Sequence, residues 1–306
     1  MGKKTPILVT GSHRSGSTWT GLMLAAAPGV GYIHEPFNKE IRINVNSKPF
    51  EHQFQYLCEK NAENYKEVLH RIIQYKYPLA GNITRITTLK DFTNIIRDQG
   101  IFLKHRLKNL RPLIKDPHAL FSAEWLYETF NMDVLVLIRH PAAFCSSLKI
   151  KKWYFGFNNF LTQPLLMKEY LAGFEEEIRE QVKTQKNIID QAILLWNCIH
   201  HTISIYKQNH PEWLFVKHEN LSRDPVNQFR KIYETFGLQF TDKAKARILE
   251  SSGAHNPVEQ HDKNEFVRDS EKNIYNWKNR LTKDEIELIR NKTSEISSLF
   301  YSENEW

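Results

Sequence analysis

The chain has 306 residues, of which 41% are hydrophobic and 12% aromatic, and its formal net charge is +7. This composition supports a large buried core and excludes a disordered or low-complexity chain, while the positive charge favours an anionic ligand. No apolar run approaches the ~20 residues that span a bilayer, and the first residues leave no room for a signal peptide, so we expect a cytoplasmic protein without a transmembrane segment.

Short apolar runs alternate along the chain with segments of helical periodicity. The predicted strands are residues 5–10, 31–34, 112–115, 133–139 and 213–217. The predicted helices are residues 16–27, 48–77, 119–130, 141–150, 164–183, 187–208, 225–236 and 282–300. This alternation predicts one α/β domain over residues 1–306, with three layers in which helices cover both faces of a central parallel sheet. Residues 79–109 show no clear period and are predicted to form an irregular insertion that could face the substrate.

The loop between the first predicted strand and the first predicted helix, residues 11–18, reads GSHRSGST. Both glycines and Thr18 match the nucleotide-binding P-loop, GxxxxGK followed by Ser or Thr. Ser17 stands where that motif has the lysine that reaches the β- and γ-phosphates, and a cation appears instead at Arg14. The backbone amides of such a loop still form an anion site at the helix N-terminus. The loop alone therefore predicts a phosphate-binding protein, and a turn that simply caps the helix is the alternative.

A second anion-binding pattern follows the most hydrophobic predicted strand, residues 133–139. Arg139 lies at the carboxyl end of that strand, the edge at which open α/β sheets bind ligands. Its guanidinium offers a planar set of donors that matches a phosphate. Ser147 lies on the next predicted helix and can add a hydroxyl. The alternative is an ordinary arginine at the edge of the sheet.

Together these segments resemble the sulfotransferases that use 3'-phosphoadenosine 5'-phosphosulfate (PAPS) as donor. Residues 14–19, RSGSTW, are similar to that family's 5'-phosphosulfate loop, and residues 139 and 147 match its 3'-phosphate motif. Residues 217–225, KHENLSRDP, look like a further family segment in which His218 replaces a tyrosine that contacts adenine. The resemblance implies a P-loop-like fold, PAPS as donor and no metal requirement. The donor-binding residues that it implies are Arg14, Ser15, Gly16, Ser17, Thr18, Trp19, Arg139, Ser147, His218, Arg268 and Ser270.

The same resemblance suggests the residues of the transfer step. Glu35 follows a predicted strand within YIHEPF, as in the carbohydrate and tyrosylprotein branches of the family, and is the expected general base. Lys115 lies in an Ile-Lys-Asp-Pro segment similar to that of the same branches. Arg14 and Lys115 are expected to stabilise charge on the departing phosphate. His34 and His118 are the alternative bases.

The acceptor is not identified by any motif, and a glycan, a lipid, a peptide or a small molecule with a hydroxyl group all remain open. Two other functions are alternatives: a P-loop kinase acting on a small molecule, and a non-catalytic nucleotide-binding module. The three cysteines are far apart, no metal-ligand cluster is visible, and no motif indicates nucleic-acid binding. The aromatic residues 153–157 are expected to form a hydrophobic cluster beneath a loop, with a sugar- or lipid-contacting wall as the alternative.

Overall fold

The computed structural model describes residues 5–41, 45, 50–184, 187–253, 256 and 269–306. Within these residues, five strands form one sheet with the order β2-β3-β1-β4-β5, and every neighbouring pair is parallel. The strands are β1 (Ile7–Gly11), β2 (Val30–His34), β3 (Arg111–Lys115), β4 (Asp133–Ile138) and β5 (Leu214–Lys217). All five predicted strands are confirmed, because each is a short run rich in apolar residues. The three inner strands are almost wholly buried on both faces, and the edge strands β2 and β5 are only partly buried.

Helices connect and cover the strands. In the described part of the chain they are α1 (Ser17–Leu24), α2 (Glu63–Ile73), α3 (Leu79–Ile83), α4 (Leu89–Leu107), α5 (Ala123–Phe130), α6 (Pro141–Lys151), α7 (Asn158–Leu161), α8 (Pro164–Glu169), α9 (Glu175–Lys183), α10 (Ile188–Asn209), α11 (His218–Arg223), α12 (Pro225–Thr235), α13 (Asp242–Ser252), α14 (Ser270–Asn273), α15 (Trp277–Arg280) and α16 (Lys283–Ser297). Short 3-10 helices occupy Pro117–Ser122, Ala172–Phe174 and Glu303–Glu305.

Alternate residues of the central strands pack into two separate cores. In β1, Leu8 enters the larger core, which also contains apolar residues of α2, α5, α6 and α10, whereas Ile7 and Val9 enter the smaller core with α1, α12 and α13. Because successive strand residues point to opposite faces, this division places helices on both sides of the sheet. The predicted three-layer α/β/α arrangement, similar to that of P-loop proteins, is confirmed.

Several predicted helices are shorter than their patterns suggested. The helix predicted at 48–77 begins only at Glu63, and the one predicted at 119–130 is preceded by a 3-10 turn whose N-cap, Asp116, accepts from the amide of His118 at 2.9 Å. The helix predicted at 164–183 is two α-helices separated by Ala172–Phe174. The last helix begins with a capping box between Thr282 and Glu285.

The segment 79–109 is helical, and its prediction as an irregular insertion is wrong. It contains α3 and the 19-residue α4, which begins with a capping box between Thr88 and Asp91. The periodicity was hidden because the solvent-facing side of α4 also carries apolar residues, so hydrophobic positions recur around most of the helix. The box was missed because its third helical position has Asp rather than the usual Glu or Gln.

Candidate active site

The loops that follow four neighbouring strands meet around one cavity of about 520 Å³ at the carboxyl edge of the sheet. The loop after β1 brings residues 13, 14 and 16–19, the segment after β4 brings Arg139 and Ser147, and the segments after β2 and β3 bring Glu35 and His118. Carboxyl ends of parallel strands are where such folds bind ligands. Most of the residues predicted for the site therefore line a single cavity, although they lie far apart in sequence.

Two glycines give the phosphate loop its shape. Gly11 has φ of 120°, and a Cβ there would lie 2.3 Å from the carbonyl oxygen of Leu137. Gly16, at φ of 81°, is the N-cap of α1, and a Cβ there would lie 2.7 Å from Nδ1 of His218. No side chain caps α1, so the first-turn amides have no competing side-chain acceptor. The loop consequently leaves the positive end of the helix accessible, as in loops that bind anions.

Two arginines are held close together on the cavity wall. Nε of Arg14 donates to the hydroxyl of Ser147 at 3.0 Å, across 133 residues of sequence, and Arg139 donates to the backbone carbonyl of Arg14. Burial, together with the charge of Arg280, lowers the pKa of Arg14. The two predicted phosphate motifs are therefore in direct contact, and both guanidinium groups line the same cavity.

Other predicted donor-binding residues differ in their position. Ser17 and Thr18 line the cavity, but the hydroxyl of Ser15 points away and donates to the carbonyl of Ser12. Trp19 lines the cavity as well, and its Nε1 donates to Ser251 at 2.8 Å. The loop thus contributes its backbone and most, but not all, of its predicted side chains.

The later donor-binding residues come from α11 and α14. His218, the first residue of α11, lines the cavity over Gly16, and its Nε2 lies 3.3 Å from the hydroxyl of Ser222. Ser270, the first residue of α14, also lines the cavity and donates to the carbonyl of Ser222 at 2.9 Å. Arg268 lies outside the described residues.

The expected base and its cationic neighbour form a tight ion pair. The ammonium of Lys115, which is fully buried, donates to Oε1 of Glu35, and Asn38 donates to Oε2 at 2.7 Å. The backbone is fixed as well, since the amide of Glu35 donates to the carbonyl of Lys115 at 2.9 Å. Burial raises the pKa of Glu35, but the charges of Lys115 and His34 and the hydrogen bonds outweigh burial and lower it to about 2. Glu35 is therefore a carboxylate at neutral pH.

The two alternative bases are placed differently. His34 is about half exposed, lies 4.0 Å from Glu35 and is not among the residues that line the cavity. His118 lines the cavity, and its Nδ1 lies 3.5 Å from Oδ1 of the fully buried Asp116. Of the two, only His118 lines the same cavity as Glu35.

Several cavity residues were not predicted from the sequence. Asn38, Glu40 and Gln53 line the side near Glu35, and Lys151 lines the side near Arg139. Asn38 is the one that the sequence could have indicated, since it follows Glu35 by three residues and supports it. Glu40 lies in a segment with neither a motif nor a regular period, and Gln53 lies in the segment predicted to be helical, where no motif marks it.

A histidine of the phosphate loop was also missed. His13 is buried among the rings of Phe54, Phe144 and Trp153, at centroid distances of 5.6, 4.9 and 4.6 Å. Burial, and to a smaller extent the charges of His118 and Arg14, keep its pKa well below the usual value. His13 is therefore neutral at pH 7, and its ring packs between the loop and the aromatic residues of the core.

The aromatic residues 153–157 divide between the core and the cavity. Phe155 and Phe157 are buried, with their ring centroids 5.1 Å apart, which confirms a hydrophobic cluster. Trp153 instead lines the cavity, and Tyr154 is 49% exposed. The segment thus both packs the core and contributes one ring to the site.

Comparison with known proteins agrees with this architecture. The structure aligns with the sulfotransferase domain from the curacin biosynthetic pathway at a TM-score of 0.51 and 17% identity, over 95% of this chain and 97% of that one. It also aligns with the sulfotransferase domain of the Synechococcus PCC 7002 olefin synthase (TM-score 0.49, 15% identity, 99% and 98% of the two chains). A third match is sulfotransferase STF9 from Mycobacterium avium (TM-score 0.48, 16% identity, 98% and 77%).

At 17% identity, the alignment with the curacin-pathway domain supports the fold alone. The other two alignments have TM-scores below 0.5 and carry no argument. No curated protein matches this chain at a significant level. The sequence profile of the sulfotransferase family, however, matches residues 6–242, which is most of the chain and includes the phosphate loop, Glu35, Lys115 and Arg139. The chain therefore belongs to the sulfotransferase family, the transferases that move sulfuryl groups.

Proposed function

We propose that this protein transfers a sulfuryl group from PAPS to the hydroxyl of an acceptor, with Glu35 as general base. One observation carries the proposal: the phosphate loop, the Arg139 segment and Glu35 all border one cavity of about 520 Å³, and the buried ammonium of Lys115 donates to Glu35 from behind. That volume lies within the ~300–1,000 Å³ usual for small-molecule sites. Anion-binding groups and a proton acceptor at the same cavity are what sulfuryl transfer to an alcohol requires.

The residues on the donor side fit a nucleotide with several anionic groups. The first turn of α1 and the guanidinium of Arg14 would hold the 5'-phosphosulfate, because amides and guanidinium groups make strong charge-assisted hydrogen bonds to such oxygens. Arg139 and Ser147 would hold the 3'-phosphate, and His218 would contact the adenine. When bound, PAPS supplies an activated sulfuryl group on a good leaving phosphate.

On the other side, Glu35 would accept the proton of the acceptor hydroxyl as its oxygen forms a bond to sulfur. The bond from sulfur to the bridging phosphate oxygen breaks in the same step, and Arg14 and Lys115 would stabilise the charge left on that oxygen. In the ion pair, Lys115 lowers the basicity of Glu35. Movement of the ammonium toward the leaving oxygen would therefore strengthen the base at the moment when it is needed.

The acceptor would enter beside Glu35. Asn38, Glu40, Gln53 and Trp153 line this side of the cavity and offer amide and carboxylate groups next to one aromatic face. Such a surface suits a hydroxyl-bearing acceptor, whether a glycan, a lipid, a peptide or a small molecule. A screen of these acceptor classes with a sulfur-labelled donor would identify which one is used.

Isothermal titration calorimetry with 3'-phosphoadenosine 5'-phosphate (PAP), AMP and ATP tests the donor assignment. PAP should bind far more tightly than AMP or ATP, and Arg139→Ala should cost one or two charge-assisted hydrogen bonds of ~1.5–3 kcal/mol each. The matched control is Lys151→Ala, which removes another cation at the cavity and should have a smaller effect on the preference for PAP over AMP.

The same titrations separate the other functions. Equal affinity for PAP and AMP would overturn the assignment of Arg139, and tighter binding of ATP with Mg²⁺ than of PAP would favour a kinase. Tight PAP binding without sulfuryl transfer to any acceptor class would favour a nucleotide-binding module.

A further inference from the structure

Helix α4 exposes an unusual amount of apolar surface. Leu89, Phe92, Ile96, Leu103 and Leu107 are 85%, 50%, 56%, 40% and 76% exposed, and their spacing of three, four, seven and four residues places them on one face. We call these five residues the α4 stripe. A soluble surface tolerates single exposed apolar residues, but a continuous stripe marks a surface that something covers.

Basic residues run beside the α4 stripe along the whole helix. Lys90, Arg97, Lys104 and Lys108 are exposed, and each one directly follows a stripe residue in the sequence. Side chains one position apart are offset by ~100° around a helix, so these four residues form a basic row along one edge of the stripe.

Acidic residues do not oppose this row. The helix has two carboxylates: Asp91 is buried in the capping box, and Asp98 pairs with Arg97 at 2.9 Å. Neither carboxylate of α4 therefore pairs with Lys90, Lys104 or Lys108 beside the apolar surface.

A small basic pocket borders the other edge of the stripe. This cavity of about 220 Å³ is lined by Arg71, Lys76 and Arg106 and reaches Leu103 of the stripe. No carboxylate is found among the described residues that line it. Apolar surface is therefore flanked on both sides by cations, and one flank is concave enough to receive an anionic headgroup.

We propose that α4 is a membrane-docking surface that binds anionic phospholipid. Interfacial helices have this composition: an apolar face enters the acyl boundary while Lys and Arg contact anionic headgroups. At 19 residues the helix is ~28 Å long and can lie flat along the surface. Among the described residues no helix is long and apolar enough to cross a membrane, so docking would be peripheral.

A second copy of this chain fits α4 less well than a lipid surface. In a two-fold pair of α4 helices packed through the stripe, the row of Lys90, Lys104 and Lys108 would lie beside another row of cations. The helix offers no free exposed carboxylate to neutralise them, because Asp91 is buried and Asp98 is already paired. Like charges in that arrangement oppose association, whereas an anionic surface attracts them.

The stripe is joined rigidly to the sheet. On the buried side of α4, Phe102 and His105 pack against the ring of Tyr75, with centroid distances of 5.7 and 5.0 Å. The hydroxyl of Tyr75 donates to the carbonyl of Gly31 in the edge strand β2 at 2.9 Å. Substitutions on the exposed face leave these contacts intact, so they test docking without disturbing the fold.

Flotation with vesicles tests the proposal on the full chain without donor. The protein should float with vesicles of phosphatidylcholine mixed with phosphatidylglycerol and not with vesicles of phosphatidylcholine alone. Lys90→Gln with Lys104→Gln should weaken binding roughly fivefold per lysine, about 25-fold for the pair. Leu89→Ser with Leu107→Ser should weaken it by about tenfold or more.

Matched controls come from α13, on the opposite side of the sheet. Lys243→Gln with Lys245→Gln removes the same charge from another exposed helix, and Leu249→Ser removes an apolar side chain that is 47% exposed. Both controls should float like the unaltered protein.

Failure to float with anionic vesicles, or an equal loss in the α13 controls, would overturn the proposal. It would also be overturned if Leu89→Ser with Leu107→Ser converted a dimer to a monomer in analytical ultracentrifugation while vesicle binding stayed unchanged. That outcome would assign the stripe to a second copy. None of these measurements depends on the identity of the donor or the acceptor.

Discussion

The sides of the cavity proposed to hold the donor and the base are built in different ways. The proposed donor side relies on a short continuous segment, residues 11–18, in which two glycines at positive φ shape the backbone. The proposed base side relies on one ion pair between Glu35 and Lys115, 80 residues apart and held by neighbouring strands. The proposed anion site is therefore formed by a local segment of the chain, whereas the charge state of Glu35 depends on the folded sheet.

The largest expected effect is on the rate. Glu35→Gln keeps the size of the side chain but removes the proton acceptor, so kcat should fall by ~10²–10⁴ while PAP affinity is retained. His118→Ala should cost about tenfold through lost positioning. The control is Glu40→Gln, another carboxylate of the same cavity, which should have a smaller effect than Glu35→Gln. If His118→Ala abolished turnover and Glu35→Gln retained it, His118 and not Glu35 would be the base.

The second-largest expected effect is on the free energy of unfolding and concerns Lys115. Lys115→Met removes one member of a buried pair and should lower the free energy of unfolding by about 3–5 kcal/mol, measured by urea denaturation. Adding Glu35→Gln should recover much of this loss, because the carboxylate no longer lacks its partner. Arg290→Met, which breaks an exposed ion pair with Glu303, should cost less than about 1 kcal/mol. A single Lys115→Met variant as stable as the double variant would show that the pair does not couple the two strands.

A smaller effect should appear in acid. The folded-state pKa of Glu35 is lowered from 4.5 to about 2, so ionised Glu35 stabilises the folded state fully above pH 4.5. That contribution is lost as the pH falls through the folded-state value. The stability difference between the unaltered protein and Glu35→Gln should therefore shrink between pH 5 and pH 2 in urea denaturation. A difference that stays constant or grows in acid would contradict the lowered pKa.

The smallest effect tests the backbone of the donor side. Gly16→Ala and Gly29→Ala place a Cβ at nearly the same φ, 81° and 79°, and each should cost about 1–2 kcal/mol of stability. Only at Gly16 would that Cβ meet another side chain, His218, at 2.7 Å. Gly16→Ala should consequently weaken PAP binding in calorimetry, and Gly29→Ala should leave it unchanged. Equal PAP affinity in both variants would mean that the loop tolerates a side chain.

The sequence alone predicted those parts of the proposed site that are formed by residues adjacent in the chain. The five strands could be found from their apolar runs, and the loop 11–18 and Arg139 could be found because each follows such a run directly. By contrast, α4 was not predicted because its solvent-facing side also carries apolar residues. Apolar and polar positions therefore do not separate into two faces, and the sequence shows no helical period.

Tertiary contacts account for the rest of what could not be predicted. Ser251 and Gln53 line the cavity, yet each reaches it through contacts between distant segments, and no local pattern marks them. Glu35 and Lys115 could be assigned to one site, but their direct pairing follows from the parallel register in which His34 lies opposite Lys115. Register between strands far apart in the chain is decided by packing, which a local pattern does not contain.

The hydrogen bond between Trp19 and Ser251 spans 232 residues and has a consequence for biosynthesis. The phosphate loop is synthesised well before the wall that completes its pocket, which includes Ser251 and Ser270. Domains generally fold as units. A nascent chain that already contains the loop, Glu35 and Arg139 would still lack a complete pocket, so we expect binding of the proposed donor to begin only after Ser251 and Ser270 have been made.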